Sequence, residues 1–195
     1  MTTPVMTPRV GREQRAFRAL MDGMARPGSV QTVGPDAPSS RVGAALLLFE
    51  ALLDHEVTFA VVPADAEIDE WLLRSTGSRI ASVRAADYLL ASGEGIESAI
   101  RQAKVGLPAY PDLGATVVAA VESVSGEAVS GVALVLAGPG IRDQATVWVA
   151  GLPAETRDAF MERNSEVPLG VDLVLIAPDG RFTCLPRYTR IQEGN

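Results

Sequence analysis

Cysteine, histidine and lysine each occur once in this 195-residue chain, as Cys184, His55 and Lys104. Each scarcity closes off a class of chemistry. A lone thiol forms no internal disulfide, and one thiol with one imidazole cannot fill the four positions of a tetrahedral N/S zinc site. Chemistry that needs a neutral or Schiff-base amine has only Lys104, because every other basic residue is arginine. Runs of basic residues are missing too: 17 basic residues face 24 acidic ones, with a pI near 4.8. Nothing therefore supplies the clustered positive charge by which proteins neutralise nucleic-acid phosphates. The longest uncharged span, Ala128 to Ile141, is shorter than the roughly 18 to 20 apolar residues of a membrane-spanning helix. Met1 to Pro8 lacks the charged start and apolar core of a secretory signal. The expectation is a cytoplasmic protein with neither nucleic acid nor membrane as partner.

What is present is an ordinary globular composition, 47 % hydrophobic and 21 % charged. At this length folding buries roughly 70 % of the unfolded chain's surface, enough for a core without staples. The pattern predicts a flexible N-terminus over 1–11, a single α/β domain over 12–191 and a short tail over 192–195. Within the domain, Phe17, Leu20, Met21 and Met24 share one face of a helix over 12–25, which Arg26-Pro27-Gly28 ends. Ser29 to Val33 reads as extended and Gly34 to Ser40 as a polar loop. Ser39 or Ser40 can cap a second, almost wholly apolar helix through Ala44 to Leu53. Val57 to Val62 and Tyr88 to Ala91 read as buried strands, with helices over 66–75, 94–101 and 154–163. The breaker-rich stretch Gly106 to Gly114 reads as a loop. Strands are expected at Ala115 to Val121, Val132 to Ala137, Ala145 to Val149, Val171 to Ala177, Arg181 to Leu185 and Tyr188 to Ile191, with at least one antiparallel hairpin. Together these predict one mixed sheet of about six or seven strands flanked by helices.

Motifs with chemical content are few. Gly93-Glu94-Gly95-Ile96-Glu97-Ser98 follows a strand and opens a helix, as a dinucleotide-binding turn does. Its third glycine is replaced by Ser98, and Glu94 would set a carboxylate beside the diphosphate, so a plain strand-to-helix turn fits better. Lys104 is followed by Val105, not by the serine or threonine of a phosphate loop, and no Gly-x-Ser-x-Gly elbow occurs. His55, between Asp54 and Glu56, suits acid-base work or simply a helix C-terminus. Gly138 and Gly140 could aim backbone amides at an anion with Arg142 nearby, or make a tight turn. Arg26 can pair with Asp22 one turn earlier or point its donor fork at a phosphate or phosphonate. Asp172 and Arg187 border buried strands, where a charge needs a partner: an internal ion pair, or a ligand. These residues alone describe an α/β domain without a self-sufficient catalytic constellation.

Phe17-Arg18-Ala19-Leu20-Met21-Asp22-Gly23-Met24-Ala25-Arg26-Pro27-Gly28 resembles the N-terminal signature of the carbon-phosphorus lyase H-subunit family, PhnH. Gly114-Ala115-Thr116, Gly138-Pro139-Gly140-Ile141, Pro168-Leu169-Gly170-Val171-Asp172-Leu173 and Leu185-Pro186-Arg187 resemble further blocks in the same order, spanning about 12–191. The resemblance implies a fold similar to the large domain of pyridoxal-phosphate transferases without the cofactor lysine, and hence no cofactor: Lys104 lies outside the blocks. It implies partnership with the G, I and J subunits, and a homodimer when isolated. The assembly exchanges the adenine of ATP for a phosphonate, and the H subunit is implied to be accessory, with catalytic residues unknown. Arg26, Gly138, Gly140, Arg142, Asp172 and Arg187 are the candidate ligand-binding positions. The rival expectation is a free-standing anion- or nucleotide-binding protein or small-molecule enzyme.

Overall fold

The computed structural model describes residues 8–34 and 42–192. Ser39, Ser40, most of the Gly34 to Ser40 loop and the ends of both tails lie outside them. In chain order the elements are α1 (Pro8–Ala25), β1 (Gln31–Thr32), α2 (Gly43–Leu52), β2 (Thr58–Val62), α3 (Ala66–Thr76), β3 (Arg79–Ile80), β4 (Tyr88–Ser92) and α4 (Gly95–Gln102). There follow β5 (Val105–Leu107), β6 (Tyr110–Gly114), β7 (Thr116–Ala120), β8 (Ser123–Ser125), β9 (Val132–Ala137), β10 (Ala145–Ala150), α5 (Thr156–Arg163), β11 (Asp172–Ile176), β12 (Arg181–Leu185) and β13 (Arg190–Gln192).

The main sheet has seven strands in the order β1-β12-β11-β7-β4-β2-β3. β11, β7, β4, β2 and β3 run parallel; at one edge β12 runs antiparallel to β11, and β1 pairs antiparallel with β12. Successive side chains alternate between faces, and both faces are covered, which is why these strands read as continuous apolar runs. Leu90, Val118, Val174 and Phe182 meet Leu20, Leu48, Phe49 and Leu72 from α1, α2 and α3 on one side. Leu89, Val117 and Leu173 meet Ile96, Ile100, Phe160, Leu134 and Val147 on the other, from α4, α5 and a second sheet. That second sheet is four-stranded and antiparallel, β13-β9-β10-β8. From β2 the chain passes to β3 on one side, but from β4 it passes to β7 and then β11 on the other, so its direction of travel across the sheet reverses between β2 and β4.

Several expectations change here. The strands over 132–137, 145–149 and 188–191 belong to this separate sheet and not to the main one, because their partners are one another. The breaker-rich stretch is a hairpin, β5 with β6; its turn and edge positions tolerate Gly106, at φ +83°, and Pro111. Helix α1 begins at Pro8, and Arg9 fastens its first turn through Glu13 (2.6 Å) and the Ser75 carbonyl (2.6 Å). Its buried face is Ala16, Leu20 and Gly23, while Phe17 and Met21 are 44 % and 54 % exposed. Close approach decides this: a Cβ on Gly23 would lie 2.8 Å from Cys184 Sγ, so the face with Ala16 and Gly23, and not the one with Phe17 and Met21, lies against the sheet. At the start of α2 the N-cap position is Val42, which makes no side-chain cap.

Candidate functional site

Asp172 is the first residue of β11, at the edge where the sheet meets the turn after β12. Arg187 follows Pro186 in that turn and answers it. Its Nη2 donates to Asp172 Oδ2 at 2.6 Å, its Nε to Oδ1 at 3.3 Å and its own backbone N–H to Oδ1 at 2.8 Å. The remaining terminal nitrogen, Nη1, donates to the Pro111 carbonyl at 2.5 Å, tying in β6. The two side chains are only 11 % and 20 % exposed. Gly114 and Gly170 make room: a Cβ on Gly114 would collide with the Gly170 carbonyl and lie 2.7 Å from Arg187 Nη1. Asn164, at the end of α5, completes the junction by accepting the Val171 N–H at 2.7 Å. Sequence reasoning passed over Asn164; an asparagine just beyond a helix carried no signal of a contact seven residues on.

A second polar cluster lies along the same N-terminal edge of the parallel strands. Asp87, just before β4, accepts the Thr58 N–H at 2.7 Å and hydroxyl at 2.6 Å, and its other oxygen holds Lys104 Nζ at 2.5 Å. Tyr88, Thr116 and Asp172 are aligned across β4, β7 and β11. Burial pushes the Tyr88 phenol above its ordinary range, with Asp87, Asp54 and Asp172 adding to the effect. For Asp87, burial opposes the charged form, but the bonds from Lys104 and Thr58 outweigh it and hold the carboxyl below its ordinary value. A depressed folded-state pKa stabilises the protein above the unfolded value of about 3.9, and that contribution is lost as pH falls through the folded value. Asp87→Asn is therefore expected to lower stability at pH 7, with the gap from wild type narrowing below about pH 4. Urea titrations at pH 7 and pH 3 check this; a gap independent of pH would assign the effect to packing.

The other expected site residues do not assemble with this edge as a pocket. Arg26 is exposed and pairs with Asp22 at 3.2 Å, its neighbour one helical turn back. Gly140, at φ +83°, lies against α1: a Cβ there would stand 2.6 Å from the Ala25 carbonyl and 2.8 Å from Pro27. A Cβ on Gly138 would stand 2.8 Å from the Tyr188 carbonyl, in the turn that follows Arg187. These glycines thus link the end of α1 to the Arg187 turn by close backbone packing, and Arg142 is exposed on the same β9–β10 connection. Gly95 serves likewise: where α4 starts, a Cβ on it would stand 2.7 Å from the Val62 carbonyl. His55 is exposed in the turn after α2. Burial, with the Asp172 charge added, pushes the Cys184 thiol far above its ordinary value, which makes it inert as a nucleophile. A 380 Å³ recess between α4 and α5 holds Arg101 and Arg163. Their charges are engaged within the protein, Arg101 by Glu97 and Glu162 and Arg163 by the Ala103 carbonyl. Among the described residues no three His, Cys, Asp or Glu side chains gather as metal ligands, and no helix is long and apolar enough to cross a membrane.

All five resembling blocks thus meet in space: the end of α1 against the Gly138 turn, that turn against Tyr188 beside Arg187, and Arg187 against Asp172, Gly170 and Gly114. The family model described as bacterial phosphonate metabolism protein (PhnH) matches residues 4–192. The chain is 30 % identical to the alpha-D-ribose 1-methylphosphonate 5-triphosphate synthase subunit PhnH of Rhizobium meliloti, over 92 % of this chain and 90 % of that protein. It is 37 % identical to HtxG of Stutzerimonas stutzeri, named as a candidate C-P lyase subunit protein, over 92 % of this chain and 86 % of that one. On this coverage and on the spatial convergence of its blocks, the chain belongs to the PhnH family of bacterial phosphonate metabolism proteins.

Proposed function

We propose that the chain is an accessory subunit of a carbon-phosphorus lyase assembly, supporting the formation of a ribose 1-phosphonate 5-triphosphate from ATP and an alkylphosphonate. The observation that carries this reading is the engagement of Arg187 and Asp172 with each other and with the Pro111 carbonyl. The most telling charged residues of the matched blocks hold the fold together, as expected of a subunit whose task is shape and not bond making. Relatives named as a synthase subunit and a C-P lyase subunit protein support the same reading. The partners are the G, I and J subunits, the isolated chain pairs with itself, and the location is the cytoplasm. The fold stands in for a pyridoxal-phosphate transferase large domain that has lost its cofactor, a reading supported by the engagement of the single lysine, Lys104, with Asp87 at 2.5 Å.

Co-expression with the G, I and J subunits, with the accompanying L protein supplied, tests this by following adenine release from ATP and methylphosphonate. The chain is expected to co-purify, and release is expected to fall at least tenfold when it is omitted. Full release without it would overturn the reading. Within the assembly, Arg26→Ala separates two roles for that exposed arginine. Lost co-purification marks a subunit contact, whereas intact assembly with unchanged release removes Arg26 from the site.

A further inference from the structure

The hairpin of β5 and β6 joins neither of the larger sheets, and a lone two-stranded ribbon is marginal in water. Here the chain pins it at three points. The Val105 carbonyl accepts the Gly170 N–H at 3.0 Å, the Lys104 carbonyl accepts the Ala115 N–H at 2.9 Å, and the Pro111 carbonyl accepts Arg187 Nη1 at 2.5 Å. The arm is thus fixed at its base, and what it holds out is apolar. Between Val105 and Gly114 the only charged residue is Asp112. Leu107 and Tyr110, directly paired across the hairpin, are 55 % and 60 % exposed. Leu113 is exposed as well, and so is Val167, in the loop that bonds β5.

Clustered exposure of this kind marks an interaction site, and the centres of protein interfaces are poor in charge and rich in tyrosine. Residues opposite each other on a ribbon share a face, and alternation along β6 puts Asp112 on that face beside Tyr110. The arm therefore presents an aromatic-aliphatic pair with a carboxylate at its margin. Because its backbone is already held, little ordering is required when it binds. Size decides the occupant. A stable two-body interface takes about 20 to 30 residues a side, whereas the arm offers only residues 107–113 and Val167. That is too little to hold a second copy of the chain by itself. It suits insertion into a groove of a neighbour that other contacts already keep in place. The carboxylate of Asp112, on a chain of net charge -7, selects a groove with a cationic side chain at its rim.

We propose that the β5–β6 arm is a docking element that inserts Leu107 and Tyr110 into an apolar groove of another subunit of the carbon-phosphorus lyase assembly, where an arginine or lysine of that subunit meets Asp112. The contact rests on the assembly reading above, and the recovery of the wild-type chain tests the two separately.

The experiment is co-expression with the G, I and J subunits and purification through a tag on one of them, with the amount of this chain recovered as the readout. Tyr110→Asp is expected to lower recovery roughly tenfold or more. Asp112→Lys leaves the apolar pair untouched and is expected to lower it roughly threefold, which carries the same reading if Tyr110→Asp fails to fold. Val129→Asp, at an equally accessible apolar position in the β8–β9 connection, is expected to be recovered like the wild type. If the wild type is not recovered, the assembly reading falls and this contact with it. If the wild type is recovered and both arm variants are recovered equally well, the contact alone is overturned. An equal loss with Val129→Asp overturns it too, as does light scattering in which Tyr110→Asp turns a dimer of the isolated chain into a monomer, since the arm would then serve a second copy.

Discussion

Arg187→Ala is expected to lower the stability of the protein by about 3 kcal/mol, because it strips the partner from a carboxylate that is largely buried. Asp172 is left at the start of β11 with 20 % of its side chain exposed and without its arginine, and the Pro111 carbonyl loses its donor as well. An exposed pair such as Arg26 with Asp22 would change stability by less than about 1 kcal/mol on the same substitution. Arg187→Lys keeps the charge but not the planar fork. It cannot reach both Asp172 oxygens and Pro111 at once, so it recovers only part of the loss. Urea unfolding measured at constant m-value gives the comparison. Pairing Arg187→Met with Asp172→Asn should come out less destabilising than the two single changes summed, by about 1 to 3 kcal/mol of coupling. Additive single effects would mean that the two groups do not act as a pair, and that Arg187 is held for another purpose.

Why this pair could be anticipated, while much around it could not, follows from what a linear pattern records. Asp172 opens an apolar run and Arg187 follows a proline, so each announces a charge at a buried boundary that needs an answer. Buried parallel strands announce themselves too: Tyr88 to Ala91 and Val171 to Ala177 are apolar throughout because helices or a second sheet cover both faces. Which sheet a strand joins is not local information. Val132 to Ala137 and Arg190 to Gln192 pair with each other across about 55 residues, and nothing in either run distinguishes that sheet from the main one. The facing of α1 was hidden for a similar reason. Phe17 and Met21 fit the helical period as well as Leu20 does, but the close approach of α1 to β12 selects Ala16 and Gly23. Two-residue β3 and three-residue β8 are too short to leave a period, and Gly106 and Pro111 signal a turn even where the segments beside them pair as a hairpin. The glycines of the blocks are legible only as places where something must come close; what comes close is a fact of three dimensions.

Gly114→Ala isolates that last point and is expected to be about as damaging as losing Arg187, roughly 3 kcal/mol. Gly114 has an ordinary backbone conformation that alanine adopts freely, so the added methyl acts through space alone. It would collide with the Gly170 carbonyl and stand 2.7 Å from Arg187 Nη1. Neither neighbour can yield cheaply. Gly170 is held by its N–H bond to the Val105 carbonyl at 3.0 Å and by Asn164 on its far side, and Arg187 by its bonds to Asp172 and Pro111. The methyl therefore either separates the end of β6 from the 168–171 loop or breaks the arginine fork, and in both cases the packing of this edge is disturbed. Gly126→Ala is the matched control, since its Cβ would meet only Val30 at an ordinary 3.7 Å. That change should be within about 0.5 kcal/mol of wild type. If the arginine fork is what gives way, Gly114→Ala combined with Arg187→Ala should be little worse than either alone, and the shortfall from additivity measures how much of the steric effect is transmitted through Arg187. Full additivity would place the whole collision on the Gly170 carbonyl, making the glycine pair, and not the ion pair, the element that sets the spacing of this edge.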